Sequence, residues 1–214
     1  MAEQALANIE VLDLTQGVAG AYCTKLLADF GAEVVKLEEP GSGDPIRRMG
    51  PFLKDEPHPE KSEVFFYLNT NKKSITLNLN SETGVKIFKE LVKKADVLAE
   101  SFAPRMMAQL GLSYETLGEI NPHLIMTSIS NFGETGPYRD YKATNLTLQG
   151  LGGVMYTMRP ANKPQDRPAV HGGWQAWYTT GLLSFIAILA ALINRADTNR
   201  GVRIDMSSME CMAS

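Results

Sequence analysis

Residues 9–40 read IEVLDLTQGVAGAYCTKLLADFGAEVVKLEEP, a strand, a glycine turn, a helix and a second strand in succession. Residues 9–15 form a short apolar run of strand character, and QGVAG, residues 16–20, reads as a loop. Tyr22, Leu26, Leu27 and Phe30 then place apolar groups on one helical face, with Gly31 positioned to cap the helix C-terminus in a left-handed conformation. Residues 32–40 form a second strand that Pro40 closes. A strand-helix-strand crossover of this length joins parallel strands.

The same alternation continues outward. PGSGDPIRRMGPFLKDEPHPEKSE, residues 40–63, has no steady period and reads as a long excursion, of the kind that is usually functional or mobile. KSITLNL (73–79) alternates as a strand, and Ser81 is placed to cap a helix reaching Lys94, with Val85, Phe88, Leu91 and Val92 on one side. VLAES (97–101) is a strand, PRMMAQLG (104–111) and SYETLGEI (113–120) are short helices, and LIMTSISNF (124–132) is a strand. GVRIDMSSME (201–210) reads as a last strand entering a helix, so the sequence is expected to be part of a longer chain. The pattern predicts an α/β fold, a Rossmann-like parallel sheet with helices on both faces.

Composition narrows the chemistry. The chain has 214 residues and a formal net charge of -3, with no basic block to attract nucleic acid or an anionic membrane surface. Small-molecule chemistry is the expectation. Cys23 and Cys211 lie far apart without metal-ligand spacing, and the N-terminus has no basic segment leading into an apolar core, so a cytoplasmic protein is expected. Residues 176–193 are apolar enough to span a bilayer but carry Tyr178, Thr179, Thr180, Gly181 and Ser184, and read as a buried core helix.

Site motifs are sparse. Gly17 and Gly20 give G-x-x-G where a dinucleotide fingerprint needs G-x-G-x-x-G, although Glu38 or Glu39 stands after the second strand. His58, His123 and His171 are scattered, so no metal site is expected, and there is no G-x-S-x-G elbow. Asp13, Asp29, Asp44, Asp96, Asp140, Asp166 and Asp205 each read as a turn, cap or surface group.

The order of longer segments says more. Residues 11–51 (VLDLTQGVAGAYCTKLLADFGAEVVKLEEPGSGDPIRRMGP), 65–104 (FFYLNTNKK to ESFAP), 110–138 (LGLSYETL to SNFGETGPY) and 181–207 (GLLSFIAILAAL to VRIDMS) together resemble the class III coenzyme A transferases, the CaiB/BaiF family. Members are roughly twice this length and form interlocked dimers. The resemblance therefore implies that residues 1–200 are the N-terminal part of the large Rossmann-like domain and that residues 201–214 begin a linker toward a missing C-terminal half.

By that resemblance the substrate is coenzyme A or an acyl-CoA together with a carboxylic acid. Gln16, Gly17, Val18 and Ala19 match the loop that receives the adenine-diphosphate end, and a glycine loop opening a helix suits an anion. Further contacts correspond to Leu68, Asn69, Thr70 and Asn71, to Ser101 and Phe102, and to Ser130, Asn131, Phe132 and Gly133. Lys72 and Lys73 would meet phosphate charge or stand solvated on a strand edge. Glu39 and Gln109 stand where arginines occur in relatives, which should weaken binding, with Arg105 as a partial substitute.

The family nucleophile is an aspartate in a D-x-x-x-G pattern, whose carboxylate attacks the acyl-CoA thioester and passes through a mixed anhydride and an aspartyl-CoA thioester. Alignment on Gly181 puts Trp177 at that position, and an indole has no nucleophilic oxygen. The racemase Gly-His-Asp motif corresponds to Ala143-Thr144-Asn145, and a shifted register would bring in Asp140 or Asp166. The resemblance thus implies the aspartate-less member of a heteromer paired with an aspartate-bearing second subunit, or else self-association. Two-chain transferases that activate benzylsuccinate with succinyl-CoA in anaerobic aromatic degradation are the pattern. The alternatives are an inactive acyl-CoA-binding or regulatory homologue, and a nicotinamide-dependent oxidoreductase.

Overall fold

The computed structural model describes residues 4–158 and 167–214, so Asp166 lies outside the described residues. Six strands form one parallel sheet: β1 (Glu10–Leu14), β2 (Glu33–Glu38), β3 (Lys73–Thr76), β4 (Val97–Glu100), β5 (Ile125–Ser130) and β6 (Arg203–Ser207). Their spatial order is β3-β2-β1-β4-β5-β6. The chain moves outward from β1 to β3 and then returns to β4 on the other side of β1. Crevices outside the carboxyl ends of β1 and β4, where the direction of winding reverses, are where such sheets bind ligands.

Period-two alternation sends neighbouring residues to opposite faces. Val11, Val34, Val97 and Ile125 meet Cys23 and Leu27 of α1 (Val18–Asp29), with Phe185 and Ile188 of α8 (Gln175–Thr198). The other face joins Leu12, Leu14, Leu37, Leu98 and Met126 to Phe88 and Val92 of α3 (Glu82–Val92), Met107 of α4 (Met106–Gln109) and Leu117 of α5 (Tyr114–Ile120). Ser81 and Ser113 cap α3 and α5 by accepting from Gly84 N and Thr116 N, as their sequences predict. Gly31, at φ 105°, follows the C-terminus of α1. Phe30, expected on the buried face, is half exposed and stacks on Phe185 with ring centroids 5.5 Å apart.

The excursion holds two short 3-10 turns, Pro45–Arg48 and Leu53–Asp55, and leads into α2 (Glu63–Leu68). Residues 201–214, expected to open a linker, instead supply β6 and α9 (Ser208–Ala213) to the same body. The reason is pairing and packing: β6 runs beside β5, and Ile204 and Met206 lie against the buried core.

α8 carries small or hydroxylated residues, Ala176, Thr180, Gly181, Ser184 and Ala191, on its buried side. Thr180 and Ser184 satisfy their hydroxyls within the helix by donating to Ala176 O and Thr180 O. Gly181 crosses the first turn of α1 so closely that an added Cβ would stand 2.5 Å from Ala19 O. Although α8 is long and apolar enough to cross a membrane, here it packs on α1 as a core helix.

Candidate active site

The functional edge begins with a buried ion cluster beneath the β1–α1 turn. Asp13 accepts from Thr15 N at 2.9 Å, Thr15 Oγ1 at 2.6 Å, Thr24 Oγ1 at 2.6 Å and Lys72 Nζ at 3.0 Å. Lys36 donates to Thr15 O at 2.9 Å and lies 2.9 Å from Asp44 Oδ2. Asp44 Oδ1 in turn accepts from Ile46 N at 2.9 Å and Gly17 N at 3.4 Å. Two carboxylates and two ammoniums, all with side chains almost wholly buried, thus fix the 15–17 turn from below and tie the excursion to it.

Titration follows this geometry. Burial alone would raise the Asp13 carboxyl, but Lys36, Lys72 and the two hydroxyls hold it well below the usual carboxylate range. Burial works against the Lys36 ammonium, yet Asp13 and Asp44 raise its pKa. For Lys72 burial prevails over Asp13 and brings it down to about 8. Glu38 is opposed by burial, but a bidentate pair to Arg47 at 2.7 and 2.8 Å and the Asp44 N–H lower it to about 2.

Above the cluster lies a cavity of about 500 Å³ at the carboxyl ends of β1, β4 and β5. Gln16, Gly17, Val18 and Ala19 line it from the β1–α1 turn and the start of α1, Ser101 and Phe102 from the loop after β4, and Ser130 and Asn131 from the end of β5. Gly17 has φ 80° and no side chain with which to cap α1; Asp44 accepts from its N–H, and among the described residues no side chain takes the N–H groups of the turn that follows, which are available to an anion. The Ser101 hydroxyl clamps the two loops, accepting from Gln16 N at 2.7 Å and donating to Gln16 O at 2.9 Å.

Trp177, in the first turn of α8, forms part of the same wall and packs with Trp174 on the cluster of Val18, Ile46, Val64 and Leu68. Two amides of α6 (Asn145–Leu151), the helix before the short α7 (Val154–Thr157), set its position. Asn145 accepts from Ala176 N at 2.9 Å and donates to Gly173 O, while the buried Gln149 brackets His171 through N–H and C=O at 3.0 and 3.2 Å.

The structure does not bring every expected residue here. Leu68 is buried core, Asn69 accepts from Lys72, Thr70 accepts from Lys25, and Asn71 donates to Asp29. Lys72 is neither a phosphate contact of this cavity nor a solvated edge residue: its ammonium is spent on Asp13, Ala21 O and Asn69. Lys73 is the exposed one, paired with Glu33. Arg105, at φ 70°, begins α4 outside the cavity lining, and Gln109 is exposed on that helix. Phe132 packs with Leu148 and Met212, and Gly133 turns toward Asp205.

The wall contributed by residues 139–143 was not anticipated beyond Asp140. Asp140 is the one carboxylate lining the cavity among the described residues, and Arg139 holds it at 3.2 and 3.0 Å. Lys142 adds a second cation with no ion-pair partner among the described residues. The charge in RDYK was the available signal, but it has no period to place it. No group of three or more metal-ligating side chains occurs among the described residues.

A second cavity, about 320 Å³, opens on the β2 side and shares Gln16, Ser101, Phe102 and Ala103 with the first. Leu14, Leu37, Leu77 and Leu79 give it an apolar slot, with Glu38 and Glu39 at its edge.

The family model described as CoA-transferase family III matches residues 6–214. Acetyl-CoA:oxalate CoA-transferase of Acetobacter aceti is 40% identical over 94% of this chain and 50% of its own length. The succinyl-CoA–L-malate CoA-transferase beta subunit of Chloroflexus aurantiacus is 39% identical over 96% of this chain and 49% of its own. Among solved structures, a CAIB/BAIF family protein from Brucella suis has a TM-score of 0.88 at 38% identity, covering 98% of this chain and 54% of that one. The chain therefore spans about half the length of the curated relatives it matches.

Proposed function

Because this chain belongs to CoA-transferase family III, we propose that it binds acyl-CoA and takes part in moving coenzyme A between an acyl-CoA and a carboxylic acid, as the non-nucleophilic subunit of a heteromer. The observation that carries this reading is Trp177, an indole in the first turn of α8 on the wall of the larger cavity. A carboxylate nucleophile there would be swung by α8 against the anion loop of α1. An indole supplies apolar surface and an N–H donor and forms no acyl bond.

In this reading the chain's residues bind and orient. The N-terminal turn of α1 meets the diphosphate, and Lys142 draws the carboxylate of the acceptor acid. Oxalate and malate in the names of two relatives support a dicarboxylic acceptor. The carboxylate of an aspartate-bearing partner attacks the thioester carbonyl and releases CoA thiolate. That thiolate attacks the resulting anhydride at the aspartyl carbonyl, which forms an aspartyl-CoA thioester and releases the donor acid. The acceptor carboxylate then attacks this thioester and frees the thiolate, which takes the acceptor's acyl carbonyl from the second anhydride and returns the aspartate carboxylate. The "beta subunit" in the Chloroflexus name supports a two-chain assembly.

The test is transfer by the purified full-length protein, with and without an aspartate-bearing paralogue, followed by peptide mass spectrometry for acyl or CoA adducts. The expected outcome is no turnover and no adduct alone, and turnover when the partner is added. Trp177→Asp is expected to gain an adduct at residue 177. Ordinary turnover by the unpaired protein, with an adduct on its own Asp140, would overturn the reading.

One observation favours the alternative of an inactive acyl-CoA-binding homologue: the only lining carboxylate among the described residues, Asp140, is locked in a bidentate pair. Tight CoA binding without any activating partner, measured by calorimetry, supports that alternative.

A further inference from the structure

Lys72 sits where three segments of the chain meet beneath the anion loop. Its Nζ donates to Asp13 Oδ2 at 3.0 Å, to Ala21 O at 2.9 Å and to Asn69 Oδ1 at 2.9 Å. These acceptors belong to β1, to the start of α1 and to the C-terminus of α2. An ammonium carries three N–H donors and no acceptor, so each hydrogen has one partner and none is left over. A neutral amine has two N–H bonds and a lone pair. One of the three oxygens would then face that lone pair in a buried place, with no donor and no water to replace it.

The charges beneath the loop single out Lys72 as the group that gives up its proton first. Asp13 and Asp44 balance Lys36 and Lys72, and all four side chains are buried. Lys36 lies 2.9 Å from Asp44 and 4.0 Å from Asp13 and draws on both carboxylates, whereas Lys72 pairs with Asp13 alone. The charged and titratable groups that face Lys72 are Asp13 from β1, Lys36 from β2 and Cys23 from α1. Burial pushes the Cys23 thiol far up, so it stays uncharged. Burial of the ammonium outweighs the attraction of Asp13, the Lys36 charge adds to it, and Lys72 comes down to about 8. Loss of its proton leaves the cluster with a net negative charge under Thr15, whose N–H and hydroxyl Asp13 holds at the entry to the loop.

We propose that Lys72 is a positioning residue of this loop and that the loop binds a diphosphate tightly only while Nζ is an ammonium, so that ligand binding and protonation of Lys72 are linked. This rests on the reading that the chain binds acyl-CoA. The linkage is reciprocal: an anion on the loop favours the ammonium below it, and the ammonium favours the anion by the same factor. Binding therefore raises the pKa of Lys72 and takes up a proton. Affinity is full below the pKa of the free protein and is lost as pH rises through it.

The experiment is calorimetric titration of the full-length protein with acetyl-CoA, whose sulfur is blocked and does not titrate, from about pH 7 to about pH 9.5. Each pH is run in two buffers of different ionisation enthalpy, which counts protons taken up, and circular dichroism checks that the protein stays folded. The unmodified protein is expected to lose affinity above about pH 8, by up to roughly tenfold per pH unit, with uptake of a fraction of a proton per site. A lysine that only supports the fold gives no uptake. Lys72→Arg keeps its charge throughout and is expected to bind with a flat pH profile and no uptake. Asn69→Ala removes one acceptor from the ammonium and is expected to move the midpoint down by about one pH unit, which decides the matter should Lys72→Arg not fold. Flat affinity without uptake in the unmodified protein refutes the linkage and leaves the binding reading intact. So does a pH profile that ignores both substitutions. Failure of the folded protein to bind acetyl-CoA even at about pH 7, where Lys72 is charged, refutes the binding reading and the linkage with it.

Discussion

Replacing Gly181 by alanine tests whether the α1–α8 crossing governs both stability and the site. The new Cβ would stand 2.5 Å from Ala19 O, 3.1 Å from Tyr22 Cδ1 and 3.2 Å from Cys23 N. Two of these are backbone atoms of a helix held by the sheet, so no side-chain rotation relieves them. Reaching an ordinary 3.4 Å contact requires α8 to withdraw by about 0.9 Å at this point. Overpacking costs about 1–3 kcal/mol, a backbone clash of this depth lies at the upper end, and after the roughly 1 kcal/mol that alanine otherwise gains over glycine in a helix a net loss of about 2 kcal/mol remains. For a domain of this size 1 kcal/mol corresponds to about 2–4 °C in Tm. Gly181→Ala should thus lower Tm by several degrees in thermal denaturation followed by circular dichroism. Gly118, also helical, would meet nothing within 4 Å, so Gly118→Ala is the matched control and should raise stability by about 0.5–1 kcal/mol. Because Gly181 lies one turn beyond Trp177 and touches Ala19 of the anion loop, CoA affinity should fall with Gly181→Ala and not with Gly118→Ala. A Gly181→Ala protein as stable as the unmodified one would refute the close-packed crossing.

The ion cluster and its neighbour make two further expectations. Lys36→Met leaves Asp13 and Asp44 without their shared cation and should cost about 3–5 kcal/mol in urea unfolding, whereas Lys73→Met, which breaks an exposed pair with Glu33, should cost about 1 kcal/mol or less. Glu38 is held near pKa 2 against an ordinary 4.5, so its contribution to stability is complete above about 4.5 and is lost as pH falls toward 2. Urea midpoints measured across that range should fall steeply for the unmodified protein and less steeply for Glu38→Gln.

Legibility differed by residue. Ser81 and Ser113 were readable because a cap is a local hydrogen bond, complete within four residues. The loops at Gln16 to Ala19, Ser101 and Asn131 meet at one edge because every strand runs the same way and each is followed by a turn at that edge. Lys72 was misjudged for the opposite reason. It stands next to Lys73 and looks equivalent to it, yet one ammonium is buried on Asp13 and the other is solvated. Arg139 and Lys142 lie in an irregular segment, where no periodicity marks which side chains turn inward.

From sequence alone came the succession of strands and helices, the parallel crossovers and the family resemblance, since all three are carried by patterns local to the chain. Only the tertiary structure decided the strand order β3-β2-β1-β4-β5-β6, the joining of β6 to the sheet, the burial of the Asp13–Lys36–Lys72 cluster and the meeting of Trp177 with the α1 loop. Those depend on contacts between residues as far apart as Asp13 and Lys72 or Asn145 and Ala176, and such contacts are chosen by which surfaces close together and exclude water. Neighbours along the chain hold no record of that choice.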